Sequence, residues 1–143
     1  HLVGPLQTNK VNDALKLFDR IESVDRESLV DALARRRDLG VPLPSLLMQV
    51  NVGEEPQKSG VAPVDADAFV AWAARERNIH FDGVMGVPPA DEDPSPYFAL
   101  LRDLRDRLGL SVLSMGMSAD FETAIAFGAT HIRIGSALFG ERS

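Results

Sequence analysis

Residues 45–52, SLLMQVNV, form a nearly continuous apolar run in which only Gln49 and Asn51 interrupt after the opening serine. A strand with one wet face alternates polar and apolar residues. A run like this one suits a strand covered on both sides, as in a parallel sheet layered with helices. The sequence on either side repeats the theme. HLVGPL (1–6), RIESV (20–24), HFDGVMGV (80–87), LSVLSMG (110–116) and THIRIGSA (130–137) read as further strands. Between them lie amphipathic stretches. Val11, Leu15 and Phe18 recur at helical spacing, and Asp25 is a candidate N-cap for a helix carrying Leu29, Val30 and Leu33 that Gly40 and Pro42 stop. Residues 65–77 turn Phe69, Trp72 and Ala73 inward. Ser95-Pro96 opens a helix striped by Leu100, Leu104 and Leu108, and Ser118 is placed to cap a short helix reaching Phe127. Asp82-Gly83 is also compatible with a hairpin turn, although no alternating partner strand flanks it.

Strands separated by single helices imply a parallel α/β sheet, either an open doubly wound sheet or a barrel. A complete (β/α)₈ barrel takes about 250 residues. The six βα-like steps in these 143 residues form a single domain over 1–143; in a TIM-type (β/α)₈ barrel they would be its last six units, and the open sheet remains the alternative. The chain opens in mid-strand without Met, which suggests a piece of a longer protein.

Composition narrows the partners. The net charge of −6 argues against a nucleic-acid surface, which needs clustered cations. The one basic cluster, Arg35-Arg36-Arg37, suits the last turn of a helix. There is no cysteine, so thiolate chemistry is excluded. His1, His80 and His131 lack metal-ligand spacing. No apolar run approaches the ~20 residues of a membrane span and no signal peptide is visible, so a cytoplasmic protein is expected.

In either architecture ligands gather at the carboxyl ends of the strands. SMGMSAD follows one late strand and IGSALFG follows the last. If these are barrel strands seven and eight, Gly116, Ser118, Gly135 and Ser136 converge where barrels commonly hold a phosphate. The structural alternatives are an N-cap for Ser118 and a strand-end glycine at 135. Asp120 and Glu122 in the same turn would repel an anion. Arg133 poses the sharpest question, a permanent cation between Ile132 and Ile134. Alternation sends it to the face opposite the isoleucines, which in a barrel can be the interior. There it meets either an inward carboxylate or an acceptor on a ligand.

HLVGPLQTNK (1–10), QVNVGEEPQKSG (49–60), GVMGV (83–87) and SMGMSADFETAIAFGATHIRIGSALFG (114–140) together resemble the pyridoxal-phosphate homeostasis proteins, which are alanine-racemase-like barrels. The resemblance runs from His1 to Arg142. It implies a barrel with pyridoxal 5′-phosphate at its mouth and a role in vitamin B6 and amino-acid homeostasis, as a cofactor carrier more than a robust catalyst. It also implies that Ser118, Gly135 and Ser136 hold the phosphate, that Arg133 faces the pyridine nitrogen, and that Asn51 and Met85 line the ring. His1 begins the family's first matching strand and is expected near the site. A cation donating to the ring nitrogen disfavours its protonation and weakens the ring as an electron sink.

The departure from the family is the covalent lysine, which the resemblance places on the first barrel strand. The three lysines here, Lys10, Lys16 and Lys58, match no such position, and Lys58 in PQKSG is only a weak surrogate. No catalytic residue is assigned. A barrel short of two strands is expected to need the missing segment, or an oligomer, to close it. Apo enzymes that use the cofactor are the partners implied. The alternatives are a racemase-like enzyme, a phosphate-binding isomerase or aldolase with Glu54 or Glu55 as base, and a scaffold fragment that binds nothing.

Overall fold

The computed structural model describes residues 1–143. The chain order is α1 (Val11–Leu17), β1 (Arg20–Val24), α2 (Glu27–Asp38), β2 (Ser45–Val50), α3 (Ala66–Arg77), β3 (Gly83–Gly86), α4 (Ser95–Arg107), β4 (Val112–Ser114), α5 (Phe121–Ala126) and α6 (Ser136–Phe139). The four strands pair in parallel and in sequence order. Each crossover contains a helix, as parallel neighbours require.

The six expected segments are all present, but the outer two are shorter than their sequences suggest. Leu2 makes a single parallel bridge to Ile21, and His131 makes one to Ser114. Each of these flanking segments has one neighbour, so only one edge of its backbone is held. In the first, Gly4 and Pro5 then end the pairing. In the last, the chain turns into α6 at Ser136, before the expected strand would finish. Sheet-like bonds still guide it: Met115 N–H donates to His131 O at 3.1 Å and Arg133 N–H to Gly116 O at 2.9 Å.

Two expected helix starts also move. α2 begins at Glu27, and the Asp25 carboxylate binds Arg26 and the Gly60 amide (3.1 Å) instead of capping it. α5 begins at Phe121, three residues after Ser118, whose hydroxyl points elsewhere. The hairpin alternative at Asp82-Gly83 is excluded, because Gly83 opens β3 and pairs in parallel with both Leu47 and Val112.

Alternation divides the sheet into two faces. Ile21, Leu46, Met48, Val50, Val84, Leu113 and Met115 pack outward into a 26-residue core shared with the helices, which contribute Leu29, Leu33, Phe98 and Leu101. Each fully buried side chain of this size is worth roughly 1.5–3 kcal/mol. The other face carries Arg20, Glu22, Ser45, Leu47, Gln49, Met85, Ser114, His131 and Arg133. Leu47 and Met85 are fully buried there, yet lie outside the core cluster.

That second face is concave. Arg20 on β1 reaches His131 beside β4, its Nη1 lying 3.0 Å from Nε2. Four strand spacings separate them along the sheet, about 19 Å if it were flat. Contact is possible only because the sheet curls into most of a barrel. The same end holds Arg20 Nε donating to Ser45 Oγ (3.1 Å) and Ser45 Oγ donating to Asp82 Oδ2 (2.6 Å). These residues begin their strands, so this polar chain closes the barrel floor, opposite the mouth.

Gly83 marks a close approach of β3 to β4. A Cβ there would stand 2.5 Å from Val112 Cβ and press into the Val112 carbonyl. Gly83→Ala is expected to lower stability by roughly 1–3 kcal/mol through overpacking, read as a fall in the urea midpoint with an unchanged slope.

Candidate functional site

The carboxyl ends of β2, β3, β4 and the last segment form the mouth. Gly116, at φ +99°, turns the chain out of β4. A Cβ would meet Ala124 Cβ at 2.5 Å, so the turn and its seat against α5 both need glycine. The turn delivers Ser118 to the next segment. Its Oγ accepts the amide hydrogens of Gly135 (3.3 Å) and Ala137 (3.1 Å). A hydroxyl oxygen thus occupies the position in which an anionic oxygen would be held, at the turn into α6. The Ser136 amide and hydroxyl make no hydrogen bond within the chain, and the space where a Gly135 Cβ would point is open.

Two residues earlier, Arg133 turns into the concavity. Its Nη1 donates to Ser114 Oγ at 2.7 Å and its Nη2 to the Gly86 carbonyl at 3.2 Å. A guanidinium has five N–H donors, so donors remain for a ligand. Burial pulls the Arg133 pKa below its ordinary value, while the charges of Glu22 and then Asp120 oppose that fall. The group stays a cation. Met85 lies on the same face, paired with Gln49 and Ser114 on the neighbouring strands, and is 1% exposed.

The other expected site residues behave differently. Asn51 is spent on its own loop: Nδ2 donates to Glu55 O (2.8 Å), and Oδ1 accepts from Glu55 N (3.1 Å). It shapes the mouth by fixing residues 51–58. Lys58 Nζ sits 2.7 Å from Glu55 Oε1, so the surrogate lysine and one of the two candidate bases are joined to each other. His1 is exposed and faces His131, with ring centroids 6.1 Å apart.

Two clefts open at the mouth and meet at Val87. One, about 240 Å³, lies among Val3, Gln49, Asn51 and Lys58. The other, about 370 Å³, lies between the loops after β3 and β4, among Pro88, Pro89, Met117 and Asp120. A larger hollow of about 560 Å³, floored by Phe69 and Trp72, sits between α2 and α3 on the outside of the sheet and is remote from Arg133.

Three residues escaped the sequence reading. Ser114 and the Gly86 carbonyl receive Arg133, and Glu22 is 2% exposed on the concave face. The signal for Glu22 was available, since a charge in the buried strand RIESV is as anomalous as Arg133 in HIRIG.

The curled parallel sheet with helices in its crossovers is the architecture of an alanine-racemase-type barrel. The profile described as "Alanine racemase, N-terminal domain" matches residues 1–143, and the chain belongs to that family. Among curated relatives it is similar to the pyridoxal phosphate homeostasis protein of Aquifex aeolicus, with 42% identity over 99% of this chain and 66% of that protein. The chain thus spans about two thirds of the length of the curated relatives it matches. Among solved structures it is similar to a protein from Bifidobacterium adolescentis described as unknown (TM-score 0.89, 34% identity, 97% of this chain and 60% of that one). It is also similar to PipY of Synechococcus elongatus PCC7942, solved with PLP bound (TM-score 0.82, 35% identity, 98% and 69%).

Ser118→Ala removes the acceptor shared by two amides. At roughly 1 kcal/mol for a hydrogen bond, hydrogen exchange at Gly135 and Ala137 is expected to quicken several-fold, with exchange in β1–β3 unchanged. Equal exchange at 135 and 137 would show that the hydroxyl does not order this turn.

Proposed function

We propose that residues 1–143 act as one domain that holds pyridoxal 5′-phosphate at the barrel mouth, in a cytoplasmic cofactor carrier that serves vitamin B6 homeostasis and passes the cofactor to apo enzymes. The observation that carries the reading is the Ser118 hydroxyl accepting two amide hydrogens from a turn that begins only two residues beyond an inward, half-buried arginine. A phosphate needs free N–H and O–H donors, which this ordered turn offers at Ser136 and the Ser118 hydroxyl, and a pyridine nitrogen needs a fixed donor such as Arg133. The names of the curated relatives, and the PLP-bound state of PipY, support the same choice.

The residues present fit the cofactor. Ser118, Gly135 and Ser136 would take the phosphate, with the free Ser136 amide and hydroxyl as donors. Arg133 would face the ring nitrogen, and Met85 would back the ring. Bound pyridoxal phosphate supplies an aldehyde open to amines and an electron-withdrawing ring. Arg133 would place a donor against that nitrogen and so would favour its unprotonated form, which suits storage over carbanion chemistry. Gly116 and Asn51 fix the walls. Lys58 is tied to Glu55 in the 51–58 loop, so its nitrogen is already engaged and not presented to a ligand. The same pair weakens the isomerase or aldolase reading, because Glu55 is occupied within its own loop.

Titrating the chain with pyridoxal phosphate and following its absorbance tests the reading. Saturable binding is expected, with nothing fixed to the chain by borohydride. Arg133→Ala should weaken affinity about 10- to 100-fold, as for a charge-assisted hydrogen bond, and Ser136→Ala several-fold. Affinity unchanged in both variants would sink the site.

A further inference from the structure

Glu22 is the buried charge that the cofactor reading does not use. It is 2% exposed, and its Oε1 has no hydrogen-bond partner. A carboxylate oxygen in that position is costly unless a cation answers it. The backbone says which cation. The parallel bridge of Leu2 to Ile21, with Leu2 N–H donating to Arg20 O (2.9 Å) and Glu22 N–H to Leu2 O (2.8 Å), puts Arg20 and Glu22 on the same, concave side, although the register with β2 shifts between Ile21 and Val24. Arg133 points to the same side as His131, as its bonds to Ser114 Oγ and the Gly86 carbonyl show, although the pairing with β4 slips by one residue there. Arg20 touches His131 across the barrel floor at 3.0 Å. The next inward pair, one step nearer the mouth, is therefore Glu22 and Arg133. The field of Glu22 is also the strongest influence opposing the effect of burial on Arg133.

The two groups do not close to ion-pair distance, in contrast to the seven ion pairs elsewhere in the chain. Arg133 is instead fastened by neutral acceptors, Ser114 Oγ and the Gly86 carbonyl. With only two of its five N–H donors taken by these acceptors, the guanidinium keeps donors uncommitted.

We propose that Glu22 is a positioning residue for Arg133: its carboxylate supplies the internal countercharge that keeps the guanidinium drawn into the barrel, its remaining N–H donors turned to the mouth. The countercharge also selects the ligand. A bare buried cation would favour an anion at that point, whereas a neutralised one favours an uncharged acceptor such as an aromatic ring nitrogen. The selectivity rests on the cofactor reading; the positioning of Arg133 does not.

The first test therefore uses the ¹⁵N-labelled chain without cofactor. The Arg133 Nε–Hε signal, assigned by its loss in Arg133→Lys, should exchange with water at least tenfold more slowly than that of exposed Arg35. Glu22→Gln, isosteric but uncharged, should remove most of that protection while the backbone signals of β1–β4 persist, and Glu22→Asp should retain part of it. Equal protection in Glu22→Gln overturns the proposal. So does wild-type Arg133 exchanging as fast as Arg35, a result that needs no variant to fold. The second test compares pyridoxal phosphate with inorganic phosphate. Glu22→Gln is expected to weaken the former about tenfold and leave the latter unchanged, and equal loss for both overturns the selectivity. If wild-type chain binds no pyridoxal phosphate, the cofactor reading and the ligand selectivity fall together, and the exchange result alone decides the positioning of Arg133.

Discussion

A guanidinium cannot be taken out of water without acceptors, and much of the barrel interior is arranged around meeting that demand for Arg133. Ser114 is a serine in an otherwise apolar strand, and its hydroxyl takes one N–H. Gly86 ends β3 with its carbonyl free of a side chain's bulk and takes another. Glu22 supplies the opposite charge at a distance. Because β1, β3, β4 and the last segment each contribute one group, the interaction depends on the curvature that brings them together. A flat sheet would hold the same residues too far apart to share a cation.

The sheet was largely legible in the sequence because burial on both faces leaves a distinctive mark. SLLMQVNV and the helices around it gave the parallel order, and the structure departs from that reading mainly at the margins. HLVGPL and THIRIGSA look like full strands by composition, but pairing is a property of neighbours, and each has only one. Ser118 shows a different limit. A serine three residues before a helix resembles a cap. Its actual partners, the amides of Gly135 and Ala137, lie 17 and 19 residues on and cannot be inferred from local pattern.

The candidate site was legible in part, and for a physical reason. Arg133 announces itself because the cost of burying a permanent charge is large and demands explanation. Glycines and serines at strand ends are cheap and common, so they suggest a phosphate turn only through their convergence. Asn51 was readable as a strand-end polar residue, but its commitment to Glu55 depends on how the loop folds back. Lys58 likewise looks available in sequence and is occupied in space.

The bond between Arg20 and His131 joins residues 111 apart in the chain. Nearly every contact that builds β1 to β4 is between successive units and can form in passing as the polypeptide lengthens. The floor clasp cannot, because its second half arrives last. During synthesis this clasp has to wait until residue 131 has left the ribosome. Contacts of such sequence separation slow folding, and partly folded intermediates with exposed apolar surface are prone to aggregation. The polar lining of the floor, Arg20, Ser45, Asp82 and His131, has a second value in that light: it keeps the waiting interior soluble.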